Sequence, residues 1–228
     1  MFRKHSSLLV LGLALLLLAA ASGGWGHPSF SEESGHLLQD PIVLEKGVFL
    51  VASSDLQDPR FRYTVVLLLT HGLEGTLGLI LNRASEMPVS ELFPDLNSPG
   101  QESNLLFYGG PVGLDGLFFL TRSGEPPNRG THVLEDVYFS GDRKLLEELL
   151  QQGKGPNELR VFLGHSGWSP GQLAAEIAHG DWQLVRADAQ TLFEKDLDKL
   201  WRDLIVPPPP RPFIVQRQRG PDGLAGHS

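Results

Sequence analysis

The sequence predicts an α+β fold: a single domain with a mostly antiparallel β-sheet and about three flanking helices. Short apolar runs recur between residues 48 and 186, and turns that contain Gly, Pro or Asp separate them. The short loop at residues 71–75 joins two of these runs in the manner of an antiparallel hairpin. Three further segments carry helix signals, and no internal repeat or second domain is visible.

Eight strands follow from the apolar runs. The run at 61–70 is long and is typical of a central strand, and Gly78 indicates a bulge or a close approach of another backbone. The predicted strands cover residues 48–52, 61–70, 76–81, 105–108, 116–122, 132–139, 158–163 and 182–186.

The three predicted helices cover residues 142–152, about 170–179 and about 189–205. The first has a leucine stripe and is followed by Gly153, a helix-ending residue. The last has apolar residues at the spacing i, i+3, i+4, i+7 and i+8, which predicts one face turned towards the core.

Residues 164–173 (GHSGWSPGQL), which we call the glycine motif, are the most specific stretch of the chain. Gly164 and Gly167 are expected to end the strand at residue 163, because glycine adopts backbone angles that other residues resist. The bulky Trp168 is expected to be buried beside the helix that follows.

The start of that helix has its own signal. Ser169, Pro170 and Gln172 match a capping box with proline at the first helical position. The glycine motif therefore predicts a strand, a glycine turn and a capped helix.

Composition and charge exclude several classes of function. The net charge of −8 does not suit a protein that neutralises DNA phosphates over a broad basic face, so no nucleic acid partner is expected. The chain has no cysteine, which excludes disulfides, thiolate chemistry and a lipoprotein anchor. The eight histidines show no metal-ligand spacing, so neither a metal nor a cofactor is expected.

Residues 1–26 resemble a secretory signal peptide. Arg3 and Lys4 precede the apolar segment 8–18, and Ala19 to Ala21 offer a cleavage site. Cleavage implies an exported protein, periplasmic or secreted. The alternative is an uncleaved leader that anchors the protein in the membrane, although its apolar run is short for a bilayer span.

The rest of the chain divides at changes of composition. Residues 27–43 form a polar linker, residues 44–206 the folded domain and residues 207–228 a proline-rich flexible tail.

Five runs in the domain occur in an order that resembles the AlgH/YqgE family of uncharacterised proteins. They are Val51-Ala52, Asp58-Pro59-x-Phe61, Gly75-x-x-Gly78-Leu79-x-Leu81-Asn82-Arg83, Gly109-Gly110-Pro111-Val112 and Gly164-x-x-Gly167-Trp168-x-x-Gly171-Gln172-Leu173-x-x-Glu176-Ile177.

The resemblance implies a single α+β domain with a bent or barrel-like sheet and flanking helices. The family name reflects a proposed role in regulating alginate synthesis, and no catalytic residues can be carried over. This chain departs from the family in its leader, its tail and Ala84, where proline is common after the Asn-Arg pair. The leader argues against a DNA-regulatory role, because an exported protein does not meet the chromosome.

The alternative to a binding module is an enzyme, namely a hydrolase that uses Ser166 of the glycine motif as its nucleophile. A nucleophile elbow has the pattern G-x-S-x-G, but Trp168 occupies the position of the second glycine. His165 is a poor base for Ser166, because adjacent residues that leave a strand tend to point to opposite faces. The alternative is that Ser166 shapes a turn.

Binding of a small anion is a further alternative. The amides of residues 164–171 precede a helix and resemble a phosphate or carboxylate site, with Arg83 as a source of positive charge. Pro170 lacks an N–H, which weakens this interpretation.

The candidate site for a ligand or partner consists of Asn82, Arg83, His165, Ser166 and Trp168. Asn82 and Arg83 anchor either a ligand or the carbonyl groups of a neighbouring loop.

Gly109, Gly110 and Pro111 indicate a tight turn, since no helix follows them. The sequence as a whole favours a non-enzymatic binding or regulatory module in the cell envelope, whose partner is an unknown protein or a small anionic ligand.

Overall fold

The computed structural model describes residues 42–96 and 104–206, which belong to one compact unit. The predicted leader and tail, and nearly all of the predicted linker, lie outside the described residues. In the part of the chain that is described, no helix is long and apolar enough to cross a bilayer.

The described residues form ten strands and five helices. The strands are β1 (Val48–Ala52), β2 (Val65–Gly72), β3 (Gly75–Ile80), β4 (Ala84–Pro88), β5 (Leu105–Tyr108), β6 (Val112–Arg122), β7 (Thr131–Leu134), β8 (Val137–Ser140), β9 (Leu159–Trp168) and β10 (Trp182–Arg186). The helices are α1 (Val89–Leu92), α2 (Arg143–Gln151), α3 (Gln172–His179), α4 (Ala189–Glu194) and α5 (Leu197–Leu204), and a 3-10 turn covers Pro94–Leu96.

The strands form one sheet in the order β10-β1-β2-β3-β9-β6-β8-β7, and β4 and β5 join it beside β9. β9 is a central strand of the sheet and pairs with three other strands. Its last residues pair with β3, with Gly78 opposite Ser166, and its first half pairs with β5 in parallel orientation. β6 pairs with β9 along the other edge.

The prediction of an α+β domain with a mostly antiparallel sheet is confirmed. Apart from the parallel pair of β5 and β9, the described strands pair in antiparallel orientation. The sheet is open rather than closed into a barrel, because the strand order ends at β10 on one side and at β7 on the other.

Alternate residues of β1, β2 and β3 point to opposite faces of the sheet, and both faces are covered. On one face Leu67 and Leu69 belong to the cluster that includes Phe193 and Leu200, from α4 and α5. On the other face Leu68 packs in a cluster with residues of β9, α3 and β10. A third cluster packs α2 against β5, β6 and β9.

In two of the predicted strands, the chain turns within the predicted range. Residues 132–139 were expected as one strand but form the hairpin β7–β8, because Glu135 adopts a positive φ of 41° and turns the chain. The strand expected at 61–70 begins only at Val65, since residues before it form a turn in which Tyr63 has a φ of 60°.

The helices number five in the described residues rather than three. α2 agrees with its prediction and begins at Asp142, whose Oδ1 accepts a hydrogen bond from the Leu145 amide at 2.8 Å. The helix expected at 189–205 is interrupted because Lys195 is extended, and Asp196 then caps α5. α1 is the single turn that follows β4.

Candidate functional site

The glycine motif does not end the strand as expected. β9 continues through it to Trp168, because β3 and β6 pair with its two edges. Gly164 has a φ of +64°, and a Cβ there would lie 2.8 Å from the Val112 carbonyl oxygen. The glycine therefore allows β6 to cross closely, and the prediction that Gly164 and Gly167 break the strand is wrong.

The predicted capping box is also wrong in its main part. α3 begins at Gln172 with Gly171 as its N-cap, at a φ of 77°, and the Ser169 side chain makes no cap. Gly171 takes this place because its left-handed backbone reverses the chain after Pro170. Gln172 does reach back, since its Oε1 accepts a hydrogen bond from the Ser169 amide at 3.0 Å.

Glu176 ties the end of β9 to the start of β10. Its Oε2 accepts hydrogen bonds from the Trp168 indole at 2.8 Å and from the Trp182 indole at 2.9 Å. Its Oε1 accepts a third bond, from the Gln172 side chain at 2.9 Å. We call these four residues the indole clamp. It fixes the orientation of both rings, because an indole N–H donates in one direction only.

Phe61 completes an aromatic group around the clamp. Its ring lies 6.0 Å from Trp168 in a stacked arrangement and 5.6 Å from Trp182 in an edge-on one. The expected burial of Trp168 is confirmed, with 5% of its surface exposed.

These rings form part of a cleft of about 290 Å³, which we call the aromatic cleft. Its walls come from the loop after β1, the start of β6, the end of β9, α3 and the start of β10. The lining residues are Leu56, Asp58, Arg60, Phe61, Pro111, Val112, Gly167, Trp168, Gln172, Glu176, Asp181 and Trp182.

The charges at the cleft are mostly negative. Arg60 is its cationic residue, and its guanidinium already pairs with Asp58 at 2.7 Å. That hydrogen bond lowers the pKa of Asp58 and raises the pKa of Arg60. Glu176 and Asp181 add two more carboxylates, so the lining carries three acids against one base.

Asn82 and Arg83 lie behind the loop that forms one wall of the cleft. The Asn82 side chain accepts a hydrogen bond from the Val65 amide and donates one to the Tyr63 carbonyl, both at 2.9 Å. Arg83 donates to the Pro59 carbonyl at 3.2 Å, and burial lowers its pKa. Both residues therefore hold backbone in place, which matches the loop-anchoring alternative.

Ser166 is absent from the lining of the cleft and is fully buried, with 0% of its surface exposed. Its Oγ donates a hydrogen bond to the Gly109 carbonyl at 3.1 Å. A buried hydroxyl that is committed to a backbone carbonyl cannot meet a substrate, so the geometry does not support a hydrolase with Ser166 as nucleophile.

His165 points to the opposite face of β9 from Ser166. Its ring meets Phe118 edge-on at 5.4 Å, and burial lowers its pKa. Nδ1 of His165 is buried without a hydrogen-bond partner among the described residues. His165 and Ser166 therefore form no acid–base pair.

Gly109, Gly110 and Pro111 mark the place where the chain passes from β5 to β6 against β9. A Cβ on Gly109 would lie 2.4 Å from the Gly164 carbonyl oxygen, and one on Gly110 would lie 2.2 Å from the His165 carbonyl carbon. Backbones meet here too closely for any side chain.

Of the five candidate residues, the structure places only Trp168 in the wall of the cleft. Phe61, Glu176 and Trp182 are functional candidates that the sequence interpretation missed. One signal was available, since Gln172 and Glu176 lie at positions i and i+4 of α3 and share a face. Within the described ranges, no group of His, Asp and Glu side chains could hold a metal ion.

The AlgH-like family model matches residues 49–207. A UPF0301 protein of Chlorobaculum tepidum is 34% identical over 163 residues, which cover 70% of this chain and 84% of the relative. A UPF0301 protein of Methylococcus capsulatus is 35% identical over 162 residues, with 70% of this chain and 88% of the relative covered.

Two solved structures have the same fold. The solution structure of the AlgH protein from Pseudomonas aeruginosa is 31% identical, has a TM-score of 0.55 and covers 69% of this chain and 85% of its own. The crystal structure of a protein from Corynebacterium diphtheriae has a TM-score of 0.60 and covers 72% of this chain and 87% of its own. At 24% identity, the second supports the fold alone. With the family model matched over most of its folded domain and relatives above 30% identity, this chain belongs to the AlgH-like family.

Proposed function

We propose that this protein is a non-enzymatic binding module and that the aromatic cleft is its binding surface. The observation that supports the proposal is the indole clamp, in which one carboxylate fixes two tryptophan rings in the wall of an open cleft. Because the clamp already fixes these rings, the wall that they form does not have to reorganise when a partner binds, which lowers the free-energy cost of binding.

The size of the cleft favours an extended segment over a small molecule. A second depression of about 460 Å³ adjoins it and shares Val112, Gly167 and Trp168 with it. Val112 is an exposed apolar residue at this junction. A chain that lies across both depressions would cover Val112 and the Trp168 edge together.

The charges favour a basic partner. Asp58, Glu176 and Asp181 line the cleft, and Glu74 lines the adjoining depression. Because Arg60 is already paired with Asp58, the remaining carboxylates attract positive charge and steer it into the cleft. The proposed occupant is a protein segment in which a Lys or Arg lies between apolar residues. The same carboxylates disfavour a small anion at residues 164–171.

Peptide display against the immobilised protein tests this proposal. Selected peptides should share a basic residue with apolar neighbours and should change the tryptophan fluorescence when they bind. Asp58→Lys should weaken binding about tenfold or more, because it adds one positive charge to the cleft and leaves the charge of Arg60 unpaired.

The matched control is Glu147→Lys, which makes the same charge change on α2, outside the cleft. It should change the affinity less than about twofold. Circular dichroism checks that both variants fold. Peptides without a basic consensus, or equal losses in the two variants, would contradict the proposal.

We also propose that the domain acts outside the cytoplasm, in the cell envelope or the medium. The support is the charged start, apolar segment and alanine-rich cleavage site of residues 1–26. Mass spectrometry of the N-terminus of the native protein tests it. A mature chain that begins near residue 22 or 27 is expected, and an intact Met1 in the cytosolic fraction would refute export.

A further inference from the structure

Arg160 is a buried cation in the first half of β9. Only 6% of its surface is exposed, and its guanidinium lies between the rings of Phe107 and Phe193 at 5.5 and 5.7 Å. Burial lowers the pKa of Arg160 to about 10, so the side chain stays charged at neutral pH.

The guanidinium lacks the partners that such a charge normally has. Nη2 donates one hydrogen bond, to the Phe193 carbonyl at 3.1 Å. Nε and Nη1 are buried and have no hydrogen-bond partner among residues 42–96 and 104–206. No carboxylate in these ranges forms an ion pair with Arg160, whereas Arg122 pairs with both Asp136 and Glu194. An uncompensated buried charge is costly, which points to a counter-charge that comes from outside the described chain.

A cavity beside Arg160 has room for a small anion that could supply this counter-charge. Its volume is about 80 Å³, and its walls include Asn104 and Leu159. Asn104 is 3% exposed, and its Nδ2 donates to the Lys154 carbonyl at 3.0 Å. That bond fixes the orientation of the amide, and the acceptor oxygen Oδ1 has no partner among the described residues. The cavity therefore combines charged donors with one neutral acceptor.

We propose that this cavity binds a small oxyanion that carries one hydroxyl group, of the bicarbonate class. The oxyanion's charged oxygens accept hydrogen bonds from Arg160, and its hydroxyl donates to Oδ1 of Asn104. A cavity of about 80 Å³ has room for more than one water molecule and therefore for a small ion.

This site is separate from the aromatic cleft, because the two share no lining residue. The failure of either proposal therefore leaves the other intact.

Thermal unfolding at constant ionic strength and pH 8 tests the site, with bicarbonate replacing chloride, which has no hydroxyl group. The midpoint of the wild-type protein should rise about 3 to 5 °C for each tenfold increase above the dissociation constant. Arg160→Met should lose this rise. Arg202→Met, which removes an exposed arginine, should keep it and so controls for general salt effects.

NMR of the wild-type protein gives a measurement that needs no variant. The Arg160 Nε–H resonance should shift saturably with bicarbonate and much less with nitrate, which has no hydroxyl group to donate to Asn104.

Two results would overturn the proposal: a wild-type midpoint or resonance that does not respond to bicarbonate, and an unfolding midpoint that rises equally in Arg160→Met. Equal responses to nitrate and bicarbonate would overturn the assignment to hydroxyl-bearing oxyanions.

Discussion

Replacing Glu176 with alanine tests whether the indole clamp stabilises the fold. The substitution removes the acceptor of three hydrogen bonds at once: the two indoles on Oε2 and the Gln172 amide on Oε1. Gln172 is exposed, so water replaces the third bond. The two tryptophans are buried, so their N–H groups lose more when the acceptor is removed.

The expected cost follows from these two bonds. A hydrogen bond to a charged group contributes about 1.5 to 3 kcal/mol, which gives about 3 to 6 kcal/mol for the pair. Glu176 is itself half-buried, so water reaches part of the gap that the alanine leaves. We expect Glu176→Ala to lower the free energy of unfolding by about 2 to 4 kcal/mol after that discount.

Urea unfolding followed by circular dichroism measures this loss. The control is Glu147→Ala, which removes a half-buried carboxylate that pairs with the exposed Arg143 at 2.8 Å within α2, and it should cost less than about 0.5 kcal/mol. Trp168→Phe removes one of the two donors, so its effect should shrink in the Glu176→Ala background. A Glu176→Ala cost within about 1 kcal/mol of the control would refute the argument that the carboxylate holds the rings.

Three further substitutions test the packing around β9. Ser166→Ala should cost about 1 kcal/mol in urea unfolding, because it removes one buried hydroxyl bond, and ester hydrolysis that disappears in this variant would contradict the structure. Gly110→Ala should cost more than about 3 kcal/mol or yield insoluble protein, since its Cβ would overlap the β9 backbone, whereas Gly124→Ala meets nothing within 4 Å and should express normally. Burial lowers the pKa of His165, so the unfolded chain binds a proton on this side chain at a higher pH than the folded protein does. The free energy of unfolding should therefore fall as the pH drops below about 6.5. His165→Gln should show a shallower fall between about pH 7.5 and about pH 5.5, and equal falls in the two proteins would exclude this cause.

For three strands, the sequence predicted both end residues correctly. β1, β5 and β10 have the predicted bounds, since apolar runs between turn residues carry their own signal. β4 was not predicted, because its residues are polar or exposed and it is a strand only through its pairing with β5. β9 was predicted to end early for the same reason: its continuation depends on β3 and β6, which are remote in sequence.

The candidate site was predictable only in part. The burial of Trp168 followed from its place between a strand and a helix. Its neighbours did not, because Trp182 reaches it through the pairing of β10 with β1, and Phe61 reaches it through the turn before β2. Glu176 had a local signal in its spacing from Gln172, but a spacing does not say which groups a carboxylate will bind.

The position of β9 in the sheet has a consequence for how the chain folds. Its neighbours are β3, β5 and β6, and the first strand pairs with the last, with Val48 opposite Arg186. Contacts between such distant parts of a chain form slowly, because a long loop must close before the pairing contributes any stability. The middle of the sheet therefore stays incomplete until the chain has been synthesised past residue 168, and one edge of β1 stays unpaired until β10 has been synthesised, up to residue 186. We expect folding to be post-translational and slow for a domain of this size, with β2 and β3 as the first hairpin to form.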